Sequence, residues 1–131
     1  PVMSADGAQA PELLSIGGKA VEGFLFTGHF AKEAAKTDIA KKYIAAYEKK
    51  TGKEASGFDA LGADAYFAIL DAMERAKSTD GPKVRAALAN TKNFKGVSGV
   101  INIGPDGNAV KSMVILQVKN GKFQYLTTVN P

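Results

Sequence analysis

Residues 58–126, FDALGADAYFAILDAMERAKSTDGPKVRAALANTKNFKGVSGVINIGPDGNAVKSMVILQVKNGKFQYL, change their hydrophobic period partway along, and that change sets the fold class. From Phe58 to about Ala76 apolar residues recur at helical spacing. Leu61, Ala65, Ala68, Ile69, Ala72, Met73 and Ala76 are expected to form the inner stripe, with Asp71, Glu74, Arg75 and Lys77 facing outward. Gly62 and the many alanines leave little bulk and permit close approach of a neighbouring element. Ser78-Thr79-Asp80-Gly81-Pro82 opens another helix, with a capping oxygen followed by proline in the first turn. Its apolar face is Val84, Ala87 and Leu88, and it ends near Asn90. From Phe94 the period becomes two. Strands are expected at residues 97–103, 110–118 and 122–129, with a turn at Gly104–Asn108. Asn120-Gly121 separates the last two strands and suits a type I′ hairpin, whose two central positions both need positive φ.

Upstream, a short apolar stretch from Pro1 to Ser4 reads as a strand ending in an Asp6-Gly7 loop. Pro11-Glu12-Leu13-Leu14 begins a short helix that Gly17-Gly18 ends. Residues 21–27, VEGFLFT, read as a buried strand closed by Gly28-His29. Asp38 starts a helix whose apolar positions are Ile39, Tyr43, Ile44 and Tyr47, with Lys49-Lys50 in its last turn and Gly52 as its stop. The order is strand, helix, strand, three helices, three strands: an α/β or α+β chain without internal repeats.

With 131 residues, 45% apolar and 23% charged, the chain is long enough for one core and ordinary in composition. No apolar run approaches the ~20 residues that cross a bilayer. It begins at Pro1 without a signal-like segment, so it reads as a processed or trimmed piece. The absence of cysteine removes disulfides, thiolate metal sites and cysteine nucleophiles together. The net charge of +4 is spread over helix exteriors such as Lys41, Lys42, Lys49 and Lys50, and arginine occurs only at Arg75 and Arg85. Nucleic-acid binding needs a denser basic face, so no nucleic-acid partner is expected.

Catalytic groups are sparse. His29 is the one histidine and has no nucleophile motif beside it. The carboxylates do not gather as metal ligands do, and no glycine-rich phosphate loop is present. No enzyme, cofactor or metal is expected. Asp6 is the residue whose position matters, because loops that follow strands in α/β sheets face ligands. A carboxylate there pairs strongly with an ammonium group. From the residues alone, Asp6-Gly7 is first of all a common turn pair.

Taken together, SADGAQAPELLSIGGKAVEGFLFT at 4–27 and the whole of 58–126 resemble the periplasmic substrate-binding proteins of branched-chain amino acid ABC transporters. The likeness lies in the acidic loop before an AVEG strand, the YAALGYDA-like helix, ERAKSTD, FKGVSG and the VKNGKF hairpin, and it covers almost the whole chain. It implies part of a two-lobed type I periplasmic-binding-protein fold, with this chain as the C-terminal portion. Residues 1–28 would belong to the second lobe, 29–113 to the first, and 114–131 to the return crossing and the C-terminal hairpin of the second lobe. The resemblance makes Asp6 the acceptor of a ligand's α-ammonium and puts Phe58 at the cleft, although an aromatic at a helix start also reads as core. It makes His29 a hinge residue. Relatives often have an aromatic where Ala8 stands and a tyrosine where Ala63 stands, so leucine-like specificity does not carry over.

The implied job is capture of an amino acid or similar small solute between two lobes, in the periplasm or another extracytoplasmic space, and delivery to an ABC transporter permease. Alone, the chain is expected to bind ligand weakly or not at all. Strands such as 21–27 would present open edges and recruit the remainder of the receptor or a second copy of the chain. The alternative is a free-standing small α/β interaction module without a transport role.

Overall fold

The computed structural model describes residues 2–131; Pro1, the first residue of the expected N-terminal strand, lies outside them. In chain order the regular elements are β1 (Met3–Ser4), α1 (Pro11–Gly17), β2 (Leu25–Gly28), α2 (Asp38–Thr51), α3 (Gly57–Ala76), α4 (Gly81–Ala89), β3 (Phe94–Gly96), β4 (Gly99–Ile103), β5 (Ala109–Val110), β6 (Met113–Lys119) and β7 (Lys122–Val129). They form one sheet ordered β1-β2-β6-β7 and a second ordered β3-β4-β5. Only β1 and β2 run parallel; the other pairs are antiparallel.

The helix boundaries follow from their caps. Thr37 accepts the Ala40 N–H at 3.1 Å at the start of α2, and Gly52 ends it in the left-handed conformation. Ser56 and Asp59 form a reciprocal capping box at the start of α3. Asp80 caps α4 ahead of Pro82. The Thr37 hydroxyl also donates to the Gly96 carbonyl at 2.7 Å, which fixes α2 against β3.

Two expectations are corrected. The strand expected over 21–27 begins only at Leu25, because Gly23 at φ 82° turns the chain after a 3-10 segment at Gly18–Val21. Nor is it an open edge: β2 lies between β1 and β6, and the outer strands of that sheet are β1 and β7. The expected inner stripe of α3 holds only in part: Ala72 is buried and Leu61, Ala68, Met73 and Ala76 are half-buried. Ala65 and Ile69 are exposed, and Ala60 and Asp64, outside the stripe, are buried instead. Arg75 is exposed, as expected, and also holds α4 in place. Its guanidinium pairs with Asp71 at 2.8 Å and donates to the Ala87 carbonyl at 2.7 Å and the Thr91 hydroxyl at 2.9 Å.

The buried apolar residues form two clusters. Phe26, Ala31, Val114, Leu116 and Val118 pack with Leu13 and Leu14 of α1. Phe30, Ala40, Ile44, Ala60 and Val97 pack with Tyr43, Ala63 and Phe67. The neighbours Phe30 and Ala31 therefore enter opposite clusters. The chain passes between the two packed bodies beyond β2 and returns at β6, and Gly28 pairs with Val114 in the ladder that joins these passages.

The β6-β7 turn has Asn120 and Gly121 at φ 53° and 68°, the geometry expected of a type I′ hairpin. A distant residue secures it: the Glu22 carboxylate accepts the Asn120 N–H at 2.7 Å and the Gly121 N–H at 3.4 Å. Glu22→Ala is expected to destabilise the fold by about 1 kcal/mol, the net worth of such hydrogen bonds. Urea titration checks the magnitude, and faster amide exchange confined to residues 119–122 checks the place.

Candidate ligand-binding site

Parallel pairing of β1 with β2 decides which side chains meet. Ser4, the last residue of β1, is in register with Phe26, two residues before β2 ends at Gly28, so the turn after β1 runs alongside the end of β2. Asp6 lies there in a 3-10 turn spanning Asp6–Ala8, and His29 immediately follows β2. The imidazole Nε2 stands 3.2 Å from Asp6 Oδ2. Both side chains retain exposure, 27% for His29 and 44% for Asp6, so a solute can reach the pair. His29 Nδ1 is buried and has no hydrogen-bond partner among the described residues.

Phe58 reaches the same place from the first turn of α3, with 55% of its surface exposed. Asp6, His29 and Phe58 line one cavity together with Gln9, Gly57 and Leu61. At about 10 Å³ it holds no more than a water, so these residues make one wall of a site and not an enclosed chamber. Larger cavities of about 210 Å³ and 290 Å³ flank the crossing; His29 and Phe30 line the first, Gln9 and Phe30 the second.

Sequence reasoning passed over three residues that organise this wall. The Gln9 amide donates to the Phe30 carbonyl at 3.0 Å. Its oxygen occupies space that side chains at residues 28 and 57 would fill: a Cβ at Gly28 would lie 2.8 Å from it, and one at Gly57 would collide with it. Glycine at both positions lets the acidic loop dock where the two packed bodies meet. Lys111 donates to the His29 carbonyl at 2.9 Å, and burial holds its ammonium below the usual lysine range, with the charge of Asp64 opposing that shift. Asp64 is itself 4% exposed and accepts the Val97 N–H, the Ser98 N–H and the Ser98 hydroxyl. It fixes the β3-β4 turn to the middle of α3.

Among the described residues no three His, Asp or Glu side chains gather to hold a metal ion. Among the described residues no helix is long and apolar enough to cross a membrane. The arrangement offers a carboxylate and an imidazole at a rim, an aromatic beside them, and backbone glycines. This is suited to holding a cationic group.

The profile of the periplasmic binding protein family matches residues 1–122. Among solved structures, the leucine-binding protein LivK of Thermotoga maritima is 49% identical over 98% of this chain, with a TM-score of 0.94. LivJ of Streptococcus pneumoniae, a branched-chain amino acid transporter substrate-binding protein solved with isoleucine, is 26% identical over 100% of the chain, with a TM-score of 0.88. The chain covers 37% of each of these proteins. An ABC-transporter solute-binding protein from R. palustris, solved with benzoate, matches 99% of this chain and is covered to 36% of its own length. At 17% identity and a TM-score of 0.79 it shares the fold alone. No curated protein sequence matches the chain.

Proposed function

Because the chain belongs to the periplasmic binding protein family, we propose that it is the C-terminal portion of a receptor that captures an amino acid or similar solute. Its fold is part of the two-lobed type I periplasmic-binding-protein fold. The sheet β1-β2-β6-β7 with α1 contributes to the second lobe, and α2, α3, α4 and β3-β4-β5 contribute to the first. The chain crosses near His29 and returns near Met113. The remaining part of the receptor, which the relatives have and this chain does not span, completes both lobes. It covers the apolar face of α3, where Tyr66 is 61% exposed and Ile69 42%.

The observation that carries this reading is the convergence of Asp6, His29 and Phe58 from three distant segments onto one wall beside the crossing. Asp6 receives the ligand's ammonium, Phe58 lines the cleft beside the ligand's side chain, and His29 sits at the hinge. Ligand bound between the lobes favours the closed population, and the closed receptor is presented to an ABC transporter permease outside the cytoplasm. No bond is made or broken, so the protein is not an enzyme.

Titration calorimetry with leucine, isoleucine and valine tests this. The full-length receptor is expected to bind at least one of them with a saturable heat, and the 131-residue chain alone to bind none. Tight binding by the chain alone, or no amino acid binding by the full-length protein, would remove the proposal.

A further inference from the structure

The contact between His29 and Asp6 ties ligand capture to a proton. Resting on the receptor reading above, we infer that His29 is a positioning residue whose protonated form competes with the ligand's ammonium for Asp6. Uptake of an amine-bearing ligand then releases a proton from His29 to water.

Nε2 lies 3.2 Å from Oδ2 of Asp6, an ion-pair contact when the ring carries its second proton. A carboxylate has about four lone-pair sites, so Asp6 can meet an ammonium through its other oxygen beside the imidazole. In the neutral state His29 leaves the charge of Asp6 unspent. In the imidazolium state it neutralises Asp6 and puts a second cation beside the incoming ammonium.

The other ring nitrogen adds to this preference. Nδ1 is buried with no acceptor among the described residues, so protonating it places an unsatisfied N–H in a dry wall. Among the described residues Asp6 is the carboxylate in contact with His29, and an ammonium that shares it competes with the imidazolium for that charge. The other charges facing His29 do not reverse the sign. Lys111 donates to the His29 carbonyl, and Lys36 lines a cavity that His29 also lines; both bring positive, not negative, charge to the surroundings of the ring. Asp64 faces Lys111 and opposes the lowering of that lysine's pKa. From α3, Phe58 and Leu61 bring no charge to the cavity, and from the acidic loop Gln9 brings only a neutral amide.

The test is calorimetry of the full-length receptor with L-leucine, or whichever branched-chain amino acid binds, between about pH 8 and about pH 5, the span in which an ordinary histidine gains its proton. The wild-type dissociation constant is expected to rise about tenfold as pH falls, the scale of like-charge repulsion near a partly screened surface. Near the middle of that span, titrations in buffers of different ionisation enthalpy should register a proton released on binding. His29→Gln keeps an N–H donor and cannot titrate, so its dissociation constant should be the same at both ends of the span. An equal pH dependence in wild type and His29→Gln, or no proton release by the wild type, overturns the inference and leaves the receptor reading intact. Absence of binding at every pH overturns both.

Discussion

Replacing Asp64 with alanine is expected to destabilise the fold by about 3–5 kcal/mol, the cost of taking a buried charged acceptor away from three donors at once. The carboxylate is buried on the inner face of α3 and takes both backbone N–H groups of the β3-β4 turn as well as the Ser98 hydroxyl. Alanine removes the acceptor from the buried Val97 N–H and from both half-buried donors of Ser98. Gly96 lies so close that a Cβ there would collide with the Asp64 carboxylate, so the turn is packed directly against the group that alanine removes. Asp64→Asn preserves shape but turns an amide donor toward at least one of the donors, so it should recover only part of the loss. Urea and thermal unfolding measure both variants. A loss below about 1 kcal/mol for the alanine variant would mean that water satisfies the turn and the clamp is not structural.

Asp6→Asn should raise the dissociation constant for an amino acid about a hundredfold in the full-length receptor. That corresponds to a loss of about 3 kcal/mol, within the range for removing one partner of a desolvated charge pair. Folding stability should barely change, because Asp6 is 44% exposed and its contact with His29 lies at the surface. The combination separates a ligand-binding carboxylate from a turn-forming one. If Asp6 serves mainly to shape the turn with Gly7, then asparagine, an equally good turn former, leaves affinity where it was. An unchanged dissociation constant with unchanged stability would thus return Asp6 to the bland role that its dipeptide suggests.

Local chemistry was legible in the sequence wherever one or two residues determine the backbone. Asn120-Gly121, Gly52 and the Asp80-Gly81-Pro82 cap each stand where their φ preferences or capping oxygens placed them. The resemblance then directed attention to Asp6, His29 and Phe58, and the structure brings them to one cavity. What periodicity misread was α3. A helix apolar nearly all round has no unambiguous inside, and its orientation is set by a polar residue, Asp64, that hydropathy assigns to water. The available signal was a lone aspartate among alanines followed by the glycine-rich FKGVSG stretch, whose exposed amides need an acceptor. Gln9 and Lys111 carried no local signal. Their partners, the carbonyls of Phe30 and His29, lie 21 and 82 residues away and come within reach only through the sheet pairing. The start of β2 was misplaced because VEGFLFT is continuous in hydropathy, while Gly23 interrupts its backbone.

Phe30 and Ala31 are consecutive, yet they anchor in different clusters. A segment built this way has a parity. One residue inserted or deleted between Gly28 and Ala31 would send the phenylalanine toward the sheet core and the alanine toward the helical one, leaving one overfilled and the other hollow. The Gly104–Asn108 turn ends in solvent, so a residue inserted there disturbs little. At the crossing an exchanged side chain does less damage than a changed count, because the count decides which cluster each residue fills.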